Sequence, residues 1–417
     1  MLVSRNQLLF AFSESLDYVE SIVGSHHYDT AYIALSILNE MDLSDESVQE
    51  IVTAAVIHDV GVFSKNLYGL LKNYDFEDES RHAEIGYSLL NKIHYYSNFA
   101  ETILYHHHRY DQNLFSCAPL SSQIVFLSDR LTFLIEKSPA DIAIHKKYIL
   151  DKVSDDMGKR FNPALFPFLE RALEKNSFWA NYKNGISKDI VKASFKYDRR
   201  ITDHEEIKNF LILFGKITDY KSSFTAAHTT GVSRIAREIG KLYGLAHNPI
   251  SDLEIAGLVH DIGKLAVDKN LLEKNSSLTD EEFETIKSHI LYSHKILSKI
   301  SGFKHIAQIA CSHHERIDGS GYPNRRTGKD LSTEEKILMT ADIFTALSEN
   351  RPYRPAMKKD TVIKVLKDME LKKKICGRIN ATVIHHIDHL YNLNTKIQKQ
   401  AYKEYQDLNF STQQLAL

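Results

Sequence analysis

Ala256-Gly257-Leu258-Val259-His260-Asp261-Ile262-Gly263 and, earlier in the chain, Ala54-Ala55-Val56-Ile57-His58-Asp59-Val60-Gly61 are two copies of one pattern. In each, a small-and-apolar run delivers an adjacent His-Asp pair, and a glycine follows. The pattern extends outward in both directions. His26 precedes the first pair by the same spacing at which His228 precedes the second. His82, His106-His107 and Asp129 follow the first pair, and His289, His313-His314 and Asp342 follow the second in the same order. Equal steps interrupted by short insertions describe one fold present twice, as tandem domains rather than a solenoid. Helix signals surround both copies. Ser251-Asp252-Leu253-Glu254, Thr279-Asp280-Glu281-Glu282 and Ser332-Thr333-Glu334-Glu335 match the capping box, in which a hydroxyl residue and a Glu satisfy free backbone N–H groups. Phe283, Ile286, Ile290 and Leu297 then recur at helical spacing. The expected fold class is all-α: two tandem helical bundle domains, residues 1–190 and 205–400. The stretch between them, around Asn184-Gly185 and Lys196 to Arg200, lacks proline and is expected to be helical.

Composition narrows the class. The chain has 417 residues, enough for two domains with cores of their own, and 43% of them are hydrophobic. Lys and Arg number 52 against 54 Asp and Glu, a formal net charge of -2, which excludes a disordered acidic tail and a general polyanion binder. Only 17 glycines and 8 prolines disfavour a strand-and-turn protein. Cys117, Cys311 and Cys376 are far apart and form no CxxC pair, in keeping with a reducing compartment. No apolar run approaches about 18 residues, and Arg5, Glu14 and Asp17 interrupt the start, so neither a membrane span nor a secretory signal is expected. A cytoplasmic location follows. The Lys372-Lys373-Lys374 run reads as a solvated helix face, with no basic stripe for direct DNA binding.

The 21 histidines carry the chemistry. A lone His on a helix is usually a core or surface residue, but an Asp delivered by an apolar run needs a cation or donors to offset its desolvation. Imidazoles mixed with carboxylates suit Fe, Mn, Zn or Ni, whereas all-oxygen sets suit Mg and Ca.

Further motifs complete the picture: His260-Asp261-Ile262-Gly263-Lys264, Leu278 to His289, His313-His314-Glu315-Arg316-Ile317-Asp318-Gly319-Ser320-Gly321-Tyr322-Pro323, Ala341 to Leu347, and Arg351-Pro352-Tyr353-Arg354-Pro355. On these residues the second half, from about Asp219 to Met357, resembles an HD-GYP domain of the HD phosphohydrolase superfamily. That family cleaves cyclic dinucleotides, above all cyclic di-GMP. The resemblance implies two divalent ions, with Fe or Mn preferred and Ni, Co or Zn as alternatives. His228, His260, Asp261 and Asp342 would hold one ion; Asp261 would bridge to the other, completed by His289, His313 and His314. Asp261 and Lys264 are the implied catalytic residues, and Lys264, Gly321, Tyr322, Pro323, Arg351 and Arg354 the implied substrate contacts. Many members carry an Asp where this chain has Ser222, and some hold a third metal with a Glu where it has Phe224, so the resemblance favours a binuclear centre.

The first half looks like an HD domain without the GYP signature: Val62 stands at the position of Lys264, and the loop is the shorter Arg109 to Asn113. A second metal site on His26, His58, Asp59, His82, His106, His107 and Asp129 is expected, with altered or absent phosphodiesterase activity or a sensory role; the alternative is a relic whose histidines only pack or form hydrogen bonds. The implied reaction converts cyclic di-GMP to linear pGpG and onward to GMP. Alternatives are 3′,3′-cyclic GMP-AMP, linear pGpG, or a weakly catalytic adaptor that binds a diguanylate cyclase through the GYP loop. A homodimer is compatible with the resemblance.

Overall fold

Helices make up almost everything described in the computed structural model, which covers residues 2–18, 26–62, 80–91, 93–115, 118–136, 139–221, 227–274, 276–350 and 355–414. Cys117, Ser222, Phe224, Arg351 and Arg354 lie outside the described residues. Among the described residues the single sheet is a two-residue antiparallel pair, Val3–Ser4 with Arg200–Ile201. The chain divides into two compact units, Phe12–Arg199 and Met1–Ala11 with Arg200–Leu417. The expected helical connection is only partly met: after helix Ser187–Ser194 the residues up to helix His204–Tyr220 are non-helical, with the two-residue strand Arg200–Ile201 among them, because that strand pairs with Val3–Ser4.

In the first unit, helix His26–Leu38 packs on helices Asp45–Ala55 and Leu120–Leu134, and helix Ser80–Leu90 on helix His94–Leu104. Ile33, Ile37, Val52, Ile103, Ile124 and Leu127 fill the space between them. In the second, helix His228–Tyr243 packs on helices His247–Val259 and Thr333–Ser348. Val232, Ile235, Leu253, Ile255 and Leu338 are buried there. Each such side chain contributes roughly 1.5–3 kcal/mol relative to its exposed state.

Two of the three expected capping boxes form, at Thr279–Glu282 and Ser332–Glu335. The third does not. The helix begins earlier, at His247, so Ser251 lies inside it. Glu254, buried, instead accepts Arg234 at 3.0 Å and Arg237 at 3.1 Å. Along helix Asp280–Leu297, Ile290 and Leu297 are buried as the spacing implies, but Phe283 is exposed and borders a groove. The lysine run is not a helix face either: helix Lys359–Leu371 ends before it, and Lys374 Nζ reaches Asp318 at 2.8 Å and Ser320 at 2.6 Å.

The glycine after each His-Asp pair lets two backbones touch. A Cβ on Gly263 would lie 1.9 Å from the His289 carbonyl oxygen, and one on Gly61 would lie 2.0 Å from that of His82. Only a residue without a side chain lets the turn after the pair lie against the helix that carries the next ligand.

Candidate metal centre

Two of the expected ligand histidines of the second half, His260 and His313, stand just past a helix C-terminus, where main-chain carbonyls have no helical partner. His260 follows helix His247–Val259, and its Nδ1 donates to the Gly257 carbonyl at 2.8 Å. His313 follows helix Lys304–Ala310 and donates to Ala310 at 2.7 Å. His289, within helix Asp280–Leu297, donates to Ile286 at 2.6 Å. With Nδ1 engaged, Nε2 is the lone-pair nitrogen and faces inward. Ser293 ties the turn down: its hydroxyl accepts from Gly263 N at 2.9 Å and donates to the His260 carbonyl at 3.1 Å.

These nitrogens converge on Asp261 from two sides. Oδ2 lies 3.2 Å from His260 Nε2 and 3.7 Å from His228 Nε2, while Oδ1 lies 3.4 Å from His289 Nε2 and 3.6 Å from His313 Nε2. Asp342 Oδ1 is 3.3 Å from His228 Nε2, and its Oδ2 is 3.9 Å from His314 Nδ1. The seven residues named from the sequence are therefore brought together, with Asp261 between two groups, His228 with His260 and His289 with His313 and His314. The donor set fits a pair of cations. His260, His289 and His313 Nε2 and Asp261 Oδ1 are buried without a hydrogen-bond partner among the described residues. Burial of unsatisfied acceptors in this number is costly unless a cation meets them.

Electrostatics agree for the second group. Burial pushes His313 down to about 3 and His289 down to about 4, so both rings are neutral and able to coordinate. Burial alone would raise the Asp261 carboxyl, but His260 and Lys264 outweigh it and hold it well below the usual range. Burial opposes a charge on His228, yet Glu349 and Asp342 together raise it to about 10, so at neutral pH an ion binding there must displace the proton of this ring. Lys264 Nζ sits 2.5 Å from Asp261 Oδ2 on a side chain that is 23% exposed.

Several residues were not anticipated from the sequence. Glu349, buried, lies 3.1 Å from His228 Nδ1 and turns Nε2 of that ring toward Asp342. It follows Asp342 by two helical turns, a same-face spacing that could have revealed it. Glu315, fully buried, accepts Asn324 N at 2.8 Å and Arg326 N at 2.9 Å and so shapes the loop beyond the tyrosine. That loop borders a groove of about 680 Å³ lined by Phe283, Lys287, His314, Arg316, Tyr322 and Lys374, among others. Gly321 and Pro323 line it too. The Tyr322 ring lies 4.8 Å from that of His314, tilted by 41°, which joins the groove to the cluster of expected ligands.

The first half assembles its seven expected residues likewise. Asp59 Oδ2 lies 3.3 Å from His58 Nε2 and 3.7 Å from His26 Nε2, and Oδ1 lies 3.2 Å from His82 Nε2 and 3.7 Å from His106 Nε2. His58 and His106 donate from Nδ1 to the Ala55 and Ile103 carbonyls at 2.8 and 2.5 Å. Asp129 Oδ1 is 3.0 Å from His26 Nε2. Among the described residues no GYP-like loop follows; Tyr110–Phe115 is a 3₁₀ helix.

Comparison with known proteins adds the following. Residues 23–134 and residues 213–378 each match a family described as HD domain. The chain is 28% identical over 395 residues to 3′3′-cGAMP-specific phosphodiesterase 1 of Vibrio cholerae, covering 91% of this chain and 90% of that protein. It is 32% identical over 262 residues to 3′3′-cGAMP-specific phosphodiesterase 3 of the same organism, covering 62% and 55%. A cyclic di-GMP phosphodiesterase of Thermotoga maritima is 29% identical over 221 residues, covering 51% and 60%. The crystal structure of the V. cholerae cyclic GMP-AMP phosphodiesterase V-cGAP3 superposes with a TM-score of 0.61 at 22% identity, over 93% of this chain and 98% of that one, a likeness of fold. No helix among the described residues is long and apolar enough to cross a membrane. With an HD domain in each half and the GYP loop beside the second centre alone, the chain belongs to the HD-domain family as a tandem member whose second half is of the HD-GYP type.

Proposed function

We propose that the chain is a metal-dependent phosphodiesterase that opens a cyclic dinucleotide at the second-half centre. The observation that carries this reading is Asp261, whose two oxygens face separate imidazole groups at the head of a basic, aromatic groove. His228, His260, Asp261 and Asp342 would hold one ion, and Asp261, His289, His313 and His314 the other. Iron or manganese suits this mixture of imidazole and carboxylate. When bound, such a pair supplies a nucleophile at neutral pH and offsets the charge of the phosphoryl oxygens.

The chain's own residues do the rest. Arg316 and Lys287 present cations to the phosphates, and the faces of Tyr322 and Phe283 suit stacking on a base. Lys264, beside Asp261 and partly exposed, can turn to the scissile phosphate and give its proton to the departing 3′ oxygen. Water adds to phosphorus, the P–O3′ bond breaks, and a linear dinucleotide with a 5′-phosphate leaves. Cyclic di-GMP is the default substrate. A second reading, 3′,3′-cyclic GMP-AMP, is favoured by the relative that aligns along nearly the whole chain and is specific for that nucleotide.

Anaerobic purification with metal analysis, followed by hydrolysis of cyclic di-GMP, 3′,3′-cyclic GMP-AMP and pGpG, tests the proposal. Asp261→Ala should abolish turnover and lower the metal content. Near-normal hydrolysis by a folded, metal-poor Asp261→Ala protein would sink it.

A further inference from the structure

Beyond the second-half centre, the first half gathers ligand atoms in an uneven way. Asp59, His82, His106 and His107 offer atoms that all lie within 4.8 Å of one another. His82 Nε2 is 3.2 Å from His106 Nε2 and 3.1 Å from His107 Nε2. His106 already donates from Nδ1 to the Ile103 carbonyl, so its Nε2 brings a lone pair to this cluster. One N–H on His82 can satisfy only one of its two neighbours, whereas a cation among the three nitrogens and Asp59 would satisfy them together. On the other side of Asp59, His26 and His58 with Asp59 form a second group of ligand atoms within 4.8 Å of one another, and Asp129 stands beside them, so what decides between one ion and two is the charge next to Asp129.

The halves differ in where each keeps its fixed cation. In the second half it is Lys264, on Asp261, with a partly exposed side chain free to swing toward solvent. In the first half that position is the buried Val62, and the cation is Arg130, directly after Asp129. Its Nε and Nη2 donate to Asp129 Oδ2 at 3.0 and 2.6 Å. The side chain is 1% exposed, and the guanidinium lies 5.5 Å from the Phe133 ring centre. The matching residue of the second half is Ile343, and that half adds a further buried carboxylate, Glu349, behind His228.

A guanidinium cannot shed its proton, and burial keeps this one in place. A divalent ion on Asp129 would face that charge at short range with little solvent to screen it. The geometry points to a first-half site that holds a single divalent ion on Asp59, His82, His106 and His107, with the Arg130 guanidinium in place of a second ion at Asp129. The contrast rests on the reading of the second half as a two-ion centre.

Equilibrium dialysis of the metal-stripped full chain against manganese(II) should load about three ions per chain. Asp59→Ala should remove one and Asp261→Ala two, so each centre is read by its own variant. Within the first half, His82→Ala should remove the ion and His26→Ala should leave it. Arg130→Met should add one. The total alone does not assign the ions to a half, so the loss on Asp59→Ala, or on the isosteric Asp59→Asn where the alanine variant fails to fold, is the deciding number. A loss of none or two there, or an ion that follows His26 rather than His82, overturns the assignment. A loss other than two on Asp261→Ala strikes the two-ion reading of the second half instead.

Discussion

Glu349 touches His228, one of the proposed ligands, and in that arrangement its effect is read in metal affinity. Facing His228 Nδ1 at 3.1 Å, it fixes the tautomer and the aim of that ring. Removing a carboxylate behind a metal-bound imidazole typically costs about 10–100-fold in metal affinity. Glu349→Gln should therefore weaken manganese binding by that order in chelator competition while the far-UV spectrum stays unchanged; an unaltered affinity would make Glu349 a packing residue. Lys264 is the opposite case. It binds no ion in the proposed arrangement, so Lys264→Ala should keep the metals and slow the chemical step by roughly 10²–10³, the usual loss of one positioned charged donor. A full kcat at full occupancy would show that its contact with Asp261 is incidental.

At the level of elements, the turn after His260-Asp261 lies against helix Asp280–Leu297 with only a glycine between. The Gly263→Ala methyl would meet a main-chain oxygen at 1.9 Å, a clash that no rotamer change relieves. A destabilisation of about 1–3 kcal/mol is expected from such overpacking, measurable by urea unfolding, with loss of bound metal because His260 and His289 move apart. The loop clamp offers a separate handle. Lys374 first, then Ser320, holds the Asp318 carboxyl well below the usual carboxylate range, so the clamp stands at neutral pH and is lost only as pH falls through that lowered value. Lys374→Met should raise KM for the dinucleotide and leave kcat nearly unchanged. These elements also explain what could be read beforehand. The gathering of the His and Asp residues is legible because both halves carry them in one order, and the Thr279 and Ser332 caps are legible because local spacing determines them. Ser251 misled because the helix starts at His247 and Glu254 is taken by Arg234 and Arg237. The lysine run misled because the helix stops at Leu371. Phe283 has helical spacing, yet it borders the groove, and periodicity cannot tell a core face from a groove wall.

Over the whole molecule, two copies of one ligand order carry different surroundings. Both have a carboxylate between two imidazole groups, but the Gly321-Tyr322-Pro323 loop and Lys264 belong to the second alone. In the full chain, Asp261→Ala should therefore depress turnover at least about 10² more than Asp59→Ala does, on the scale of losing a centre's electrostatic stabilisation. Equal losses, with the untouched half still loaded, would move catalysis away from the second half. The likeness of the copies has a simple physical carrier. His58, His106, His260, His289 and His313 are each aimed by a carbonyl three residues earlier in the chain. Every amino acid supplies that carbonyl, so no point mutation of the neighbour can erase it. Flanking side chains are free to drift while the imidazoles keep their bearing, and a duplicated half can exchange its task without rebuilding its grip.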